Sequence, residues 1–536
     1  LDTIREYGDK NLKHERLIHL DTENQDPADV IKDLYDPEKV AVNLLLVPEK
    51  YGGLGGNSYD IYRACELLSH YDLGVTTSVF ATFLGMDPIF MGGTEEQKEK
   101  WIKRIVELRC LVAYGATEAA AGSDLLHLKT RAERVMEGDK LVGYRLNGSK
   151  MWITNGGTAQ IYTVLARSPK GVSWFVLEKG AEGFTTGKHE DKHGIRLSNT
   201  TALSFKDVFV PVENLIGGVE GKGMRQAQAV FGYTRLLVAA MALGAGWRAV
   251  EEAVRYAQVR LVGGHPLTEK QGFMHKLVVP FAARLEACRA YIEEIAGRID
   301  GGEEGLQTEG AIAKRLTSET ANAAADAAIQ AFGGNGYVRE YPVEKIKRDL
   351  KITCIYEGTS EILELTTFRQ RWQDNINADG RYYDKLAEEM DALHAKGPDV
   401  GAASAAVALR ALSRVLQACY DQKLTSNQAT HMKLGELMAY AETAAAFCRA
   451  AAKEALPEAV AVDQDAWRAM CRIHAGTAAA WIASEGLRLV AGCSDVDAVG
   501  LVDGLNMKAV AKAQKGQVAD MDLVAAKLAQ VYKAEA

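Results

Sequence analysis

The spacing of apolar residues changes along the chain, and each change marks a change of element type. Up to about residue 110, apolar positions recur at helical intervals, most clearly in Tyr59–Tyr71 and Glu95–Leu108, with Gly-rich turns such as Gly52–Gly56 between helices. From about 111 to 217 the helical period is lost. Ile161–Arg167 and Val172–Leu177 are short runs rich in β-branched and aromatic residues. Asn147-Gly148, Asn155-Gly156-Gly157 and Pro169-Lys170-Gly171 read as breaks between strands. Helical spacing returns in Ala227–Arg260, Leu277–Ile299 and Gly310–Phe332, the last ending at Gly333-Gly334. Another helix follows Gly358 towards Trp372. From about 375 the chain is Ala-rich and helical, with a linker at Gly397-Pro398 and a close-packing tract at Ala402–Ala411. The expected fold is mainly α with a central small antiparallel β domain. Its parts are an N-terminal helical domain (1–112), the β domain (113–218), a second helical domain (219–374) and a C-terminal helical extension (375–536).

Composition narrows the function classes. A chain of 536 residues is too long for one core, and 47% hydrophobic with 25% charged residues is ordinary for a globular protein. The net charge of -8 argues against nucleic-acid binding, which needs a basic face. The eight cysteines contain no Cys-x-x-Cys pair, so neither a disulfide framework nor a cysteine metal site is expected, and no metal is assigned. No charged-then-apolar leader is seen and no apolar run reads as long enough to span a bilayer. The expectation is a reduced, cytoplasmic protein. The chain starts at Leu1, which leaves room for a removed targeting segment.

One segment concentrates candidate chemistry. In Lys351–Ser360 (KITCIYEGTS), the single carboxylate of Glu357 follows the apolar Ile355 and Tyr356. Gly358 lets backbone pass close to a ligand, and Thr359 can cap the following helix. A carboxylate among apolar groups has a raised pKa and serves as a base near neutrality. An ordinary acid at a helix start, favoured by the dipole, has the same local sequence. Ala121-Gly122-Ser123 offers small residues and main-chain N–H groups for a phosphate, or is a simple turn. Trp152 and Thr154 alternate on one strand and so share a face, which suits a planar ring beside a hydroxyl; a core tryptophan is the alternative. Arg260, taken alone, reads as a surface charge at a helix end.

Taken in order, these segments resemble the acyl-CoA dehydrogenase family. Pro48–Gly55 (PEKYGGLG) and Gly93–Lys98 (GTEEQK) are similar to its N-terminal helical domain, and Tyr114–Asp124 (YGATEAAAGSD) and Lys150–Gly156 (KMWITNG) to its two flavin segments. Phe332–Tyr337 (FGGNGY) and Ile355–Ile362 (IYEGTSEI) are similar to its C-terminal helical domain. The resemblance spans residues from roughly 30 to 372. It implies FAD as cofactor, with Tyr114, Ala116, Thr117, Gly122, Ser123, Trp152 and Thr154 around the flavin and pyrophosphate. Arg260, Gln271, Gln330, Gly333 and Gly334 are implied at the adenine-diphosphate half, across a subunit interface, and Thr359 and Glu361 also at the cofactor. Ser123, Phe231, Thr234, Arg235, Tyr356, Gly358, Phe80 and Leu84 are implied at the acyl-CoA. Some members carry the base on the helix containing Phe231–Arg235 (FGYTR). Here that stretch holds no acid, so the base is assigned to Glu357.

This sequence also departs from the family pattern. Gly232 stands where an acid is frequent, Ala119 where proline is usual, Leu197 where glycine is common and Gly263 where an aromatic is usual. The implied reaction is α,β-dehydrogenation of an acyl-CoA in the manner of fatty acid β-oxidation, with electron-transferring flavoprotein reoxidising the flavin. An acyl-CoA oxidase, a non-oxidative lyase and a non-enzymatic assembly protein on the same fold are the alternatives. The acyl pocket floor is expected from Thr76–Leu84, which lacks Arg and Lys, with Val75 where dicarboxylate-specific members place arginine. A monocarboxylic acyl-CoA is therefore expected, and the acyl group itself stays open. Residues 375–536 are similar to the extension of very-long-chain and some large bacterial members, which implies a homodimer. Their lack of a strong basic amphipathic stripe favours a packed role over contact with a membrane surface.

Overall fold

The computed structural model describes residues 1–493 and 499–533. The chain divides into two compact units, Leu1–Leu237 with Ile299–Gly305, and Val238–Arg298 with Leu306–Ala536.

The first unit holds the sheet and the helices around it. Its strands are β1 (Val112–Gly115), β2 (Arg131–Glu137), β3 (Lys140–Thr154), β4 (Ile161–Ser168), β5 (Gly171–Glu178), β6 (Phe184–Thr186) and β7 (Thr200–Pro211). They run in the order β1-β4-β2-β3-β7-β6, with β5 on β4. Most pairs are antiparallel, as the strand-and-turn pattern predicts; β1 is parallel to β4, and β2 touches β4 in parallel at Arg131 and Arg167, so the sheet is mixed. Its inner face is aromatic: Phe184 stacks on Phe205 with ring centroids 5.2 Å apart, and Tyr162 meets Phe184 edge-on at 4.8 Å.

Asn147-Gly148 does not break the strand as expected. Both residues lie inside β3, where the register with β7 shifts. Gly148 has φ 146°, and a Cβ there would fall 2.7 Å from the Thr130 Cα. This glycine therefore serves close backbone approach within a bulge, not a turn.

The helices Ser58–Tyr71 and Glu95–Leu108 form where the periodicity places them. Asn57 caps the first and Thr94 forms a capping box with Gln97 at the second. The helix Leu73–Gly92 lies close against the sheet: a Cβ on Gly85 would sit 2.6 Å from Val112 Cγ1, and the Thr163 hydroxyl donates to Gly85 O at 2.9 Å. Leu73–Gly92 and Gly223–Val259 are each long and apolar enough, by length and composition, to cross a membrane, which corrects the expectation that no run is. Their apolar windows are 78% and 93% buried, the pattern of core helices.

In the second unit the helices Val279–Asp300, Gln307–Phe332 and Ser360–Asn377 pack with the extension, formed mainly by Tyr382–Lys396, Ala402–Asp421, Gln428–Ala451, Gln464–Cys493 and Gln517–Val531. Buried charge fixes this packing. Glu442 accepts from Arg371 Nε at 2.8 Å, from Tyr383 at 3.1 Å and from Tyr291 at 3.3 Å, and Arg371 also donates to Glu309 at 2.9 Å. Gly435 brings two helices together, since a Cβ there would lie 2.2 Å from Glu364 O. An ion cluster that shares its hydrogen bonds this fully tolerates burial, because each partner's desolvation is offset by the others.

Candidate active site

In the first unit, the segment between β1 and β2 is pinned to β3 by one buried ion pair that the sequence did not reveal. Lys150 is fully buried and its Nζ donates to Glu118 Oε1 at 2.7 Å and to Ala116 O at 3.1 Å. Glu118 also accepts from the main-chain N–H groups of Lys129 and Thr130. Burial works against its charge, but the bonds from Lys150, Thr130 and Lys129 outweigh it and hold the carboxyl below its ordinary value. Burial pulls the Lys150 ammonium down to about 8, against the pull of Glu118, so the pair is still charged at neutrality. The Met151 N–H donates to Thr117 O at 3.0 Å, and a tight turn joins Glu118 and Ala121 through paired main-chain bonds of 3.0 and 3.1 Å. Ala119, Gly122 and Ser123 are left exposed beyond it, while Ala116 is buried and Thr117 half-buried.

At the end of β3 the register shifts between Lys150 and Ile153. Trp152 takes φ 56° there and is 59% exposed. Ile153 is buried, while Trp152 and the half-buried Thr154 on either side of it keep access to solvent. A large exposed indole in left-handed backbone is a poor structural tryptophan, and the core alternative is removed. Asn155, also left-handed at φ 61°, is buried and donates from Nδ2 to Ser78 O at 2.9 Å, tying this corner to the helix Leu73–Gly92. Tyr114 is half-buried on β1, its ring 4.7 Å from that of buried Trp174.

On the helix Leu73–Gly92, Phe80 is buried with its ring 5.2 Å from Phe83, and Leu84 is half-buried. The Thr76 and Thr77 hydroxyls each donate to the carbonyl four residues back, both at 2.7 Å, so this face is less polar than its composition suggests. Leu197 is buried against Gly74, whose added Cβ would lie 3.2 Å from the Leu197 Cβ. A glycine on the helix thus makes room for the larger residue. Thr234 and Arg235 are buried. The side chain of Phe231 lies outside the described residues.

In the second unit, Glu357 has φ 54° and Gly358 φ 98°, two successive left-handed residues before the helix Ser360–Asn377. Glutamate adopts such a conformation only where its surroundings impose it. The imposing groups come from one helix, Gln307–Phe332. Lys314, fully buried, donates from Nζ to Gly358 O at 2.6 Å. One turn on, Ser318 donates to Thr353 O at 3.0 Å; another turn on, Asn322 donates to Leu350 O at 2.8 Å. Ser360 donates to Glu319 at 2.5 Å, and Thr359 caps the helix by accepting from the Ile362 N–H. The ordinary helix-start acid is therefore Glu361. Its own main-chain N–H and the Thr359 hydroxyl, with Lys351 and Lys314 nearby, hold its carboxyl below the usual range. Glu357 precedes the cap and is half-buried, as are Tyr356, Gly358 and Thr359.

The same unit gathers the residues expected at the adenine-diphosphate half. Asn335 donates to the Tyr256 hydroxyl at 3.1 Å, and the Tyr256 ring stacks on Phe332 at 4.1 Å. This draws Gly333-Gly334 towards the helix end at Arg260, one turn beyond Tyr256. Arg260, Gln271, Gln330, Gly333 and Gly334 are all exposed. Gly333 takes φ 60° and ψ -135°, a region for glycine, and a Cβ at either glycine would meet nothing within 4 Å. Gly263 and Gly264, at φ 63° and 82°, form the two-residue turn of a small hairpin, which explains why an aromatic is absent at 263. Within the first unit, an exposed indole near a threonine and an open small-residue turn are chemically suited to a planar ring and a phosphate, and within the second, an exposed arginine and bare glycine backbone are suited to a diphosphate.

The family models for the acyl-CoA dehydrogenase N-terminal, middle and C-terminal domains match residues 1–109, 113–208 and 221–370. A short-chain specific acyl-CoA dehydrogenase of Megasphaera elsdenii is 42% identical over 351 residues, 63% of this chain and 90% of that protein. A cyclohex-1-ene-1-carbonyl-CoA dehydrogenase of Geobacter metallireducens is 36% identical over 375 residues, 69% of this chain and 96% of that one. The solved structure of an acyl-CoA dehydrogenase from Bacillus anthracis, complexed with FAD, matches 100% of this chain and 94% of its own with a TM-score of 0.82 at 24% identity, a likeness of fold that includes the extension. The chain belongs to the acyl-CoA dehydrogenase family and is an FAD-dependent enzyme of that class, in a large form with a C-terminal helical extension.

Proposed function

We propose that this protein removes the α and β hydrogens of a monocarboxylic acyl-CoA to give the 2,3-enoyl-CoA, with Glu357 as base, and passes the electrons to electron-transferring flavoprotein. The observation that carries the base is the left-handed Glu357-Gly358 pair, strapped by Lys314 outside the capped helix. An acid held there is not needed to stabilise the helix, a task Glu361 already performs. Glu357 takes the α-proton, and its main-chain N–H is assigned to the thioester oxygen, where a fixed dipole stabilises developing enolate charge. Gly358, with no side chain, leaves room for the acyl group beside the carboxylate. FAD, when bound, supplies the acceptor for the β-hydrogen. Trp152, Thr154, Tyr114, Ala116, Thr117, Gly122 and Ser123 are assigned to holding it on the first unit.

The acyl class follows from the helix Leu73–Gly92, which carries no Arg or Lys and keeps Val75 fully buried. A second carboxylate would meet no cation on this helix, and desolvating it there is costly. Buried Phe80 is assigned to the floor of the acyl slot. A homodimer is part of the reading, with Arg260, Gln271, Gln330, Gly333 and Gly334 serving the partner's cofactor. Exposed Val259, Leu261 and Val262 surround Arg260, and exposed apolar groups clustered in this way favour a protein interface. Sedimentation of the holoenzyme as a monomer would remove that part.

The test of the reaction is anaerobic mixing of the holoenzyme with straight, branched, cyclic and aromatic acyl-CoAs while flavin absorbance is followed. At least one monocarboxylic thioester bleaches the flavin. Glu357→Gln keeps its FAD and bleaches about 10²–10⁴-fold more slowly. Bleaching at the unchanged rate rules out Glu357 as the base.

A further inference from the structure

The last helix of the extension, Gln517–Val531, reaches the residues proposed above for the adenine-diphosphate half. It is held from two sides. On one side Asp520 accepts from Arg472 Nε at 2.9 Å. On the other, Gln258 donates to Ala529 O and Tyr532 O, both at 2.7 Å. Between these anchors, Asp522 Oδ1 accepts from Gln271 Nε2 at 2.8 Å and lies 2.9 Å from His275 Nε2. Gln271 and His275 sit one turn apart on the helix Gln271–Leu277, so both side chains meet the same carboxylate.

This contact decides which way the Gln271 amide points. A carboxylate only accepts hydrogen bonds, so the amide nitrogen must face Asp522 and the amide oxygen must face away. Seen by a ligand, Gln271 is then an acceptor. It suits a donor such as the adenine amino group or a ribose hydroxyl, and it is unsuited to phosphate oxygen, which Arg260 can take. Without Asp522 the amide is free to rotate and present either end.

We propose that Asp522 is a positioning residue for FAD: the extension fixes the Gln271 amide so that its oxygen recognises the adenosine end of the cofactor. This rests on the placement of Gln271 at the adenine-diphosphate half. The extension, on this view, is part of the cofactor site as well as a packing element.

Full-length protein is stripped of flavin and titrated with FAD and, separately, with FMN, which lacks the adenosine half. Asp522→Ala raises the Kd for FAD about tenfold, as loss of one oriented hydrogen bond does, and leaves the Kd for FMN unchanged. Exchanging the donor and acceptor, Gln271→Glu together with Asp522→Asn, again turns an acceptor outward and recovers most of the FAD affinity that Gln271→Glu alone loses. A merely structural role for the contact would weaken FMN and FAD alike, and that result overturns the proposal. If Gln271→Ala weakens FAD but Asp522→Ala does not, the positioning role fails and the Gln271 assignment stands. If Gln271→Ala leaves FAD affinity unchanged, both fail.

Discussion

The turn after β1 and the segment carrying Glu357 are both irregular, and they are held by different physics. In the first unit, a strand register with one bulge sets where Trp152 stands, and a single buried ion pair, Lys150 with Glu118, anchors the facing turn. In the second, one helix supplies the hold. Lys314, Ser318 and Asn322, one helical turn apart, donate to the carbonyls of Gly358, Thr353 and Leu350. The sheet site centres its hold on a buried charge pair, whereas the helical site is held at three carbonyls by one row of a helix. The first arrangement is stiff and vulnerable to a single change. The second shapes a backbone that no regular element would produce, which is what placing one carboxylate in left-handed conformation requires.

The sharpest way to break this contrast is to remove one charge of the buried pair. Lys150→Met leaves the Glu118 carboxylate buried with main-chain donors alone, and should cost about 3–5 kcal/mol of unfolding free energy. Replacing both partners, Lys150→Met with Glu118→Gln, should return most of it, because no uncompensated charge remains. Urea unfolding of the three proteins checks this. A double variant as unstable as the single one would mean that the pair matters through packing, not charge.

The helical strap should behave differently. Lys314→Met takes the donor from Gly358 O and should slow flavin bleaching by about 10²-fold, the effect of a reacting group displaced by about 1 Å. Its stability cost should be smaller, about 1–3 kcal/mol for one unsatisfied carbonyl. The measurement is the bleaching rate at saturating acyl-CoA beside the urea midpoint. A loss of stability with the rate intact would make Lys314 a packing residue and remove its role in placing Glu357.

Several of these features could be read from residues alone, and some could not. Helices with strong periodicity and side-chain caps, such as Glu95–Leu108 after Thr94, fall where the sequence puts them. The short strands Ile161–Ser168 and Gly171–Glu178 do too, because β-branched runs flank a Pro-Lys-Gly turn. Gly148 misled because glycine serves both turns and close approach, and only the neighbouring Thr130 backbone distinguishes them. Glu357 was legible as a candidate, but Glu357 and Glu361 have similar local sequence, and it took backbone angles and the Thr359 cap to show which of the two begins the helix. Lys314 and Lys150 were missed because a buried lysine is a property of its surroundings. The signal available for Lys314 was a polar row at Lys314, Ser318 and Asn322 on an otherwise Ala-rich helix. For Lys150 no local signal existed, since its partner lies 32 residues away.

The smallest effect tests the electrostatics of the sheet site through pH. Burial lowers the folded-state pKa of Lys150 from its ordinary value near 10.5 to about 8. Between those values the unfolded chain keeps a proton that the folded chain has released, so this group makes stability rise with pH across the window. Below about 8 both states are protonated and the slope vanishes. Glu118, held below its ordinary value, contributes stability above the carboxylate range and loses it only in acid, so it adds no slope here. Relative to Lys150→Met with Glu118→Gln, the unaltered protein should therefore gain on the order of 1–3 kcal/mol between pH 8 and about 10, and hold a constant difference between pH 6 and 7. Denaturant unfolding at stepped pH measures that difference. A difference that stays flat to pH 10 would mean that Lys150 keeps its proton, with Glu118 outweighing burial, and that the turn after β1 stays clamped by charge throughout.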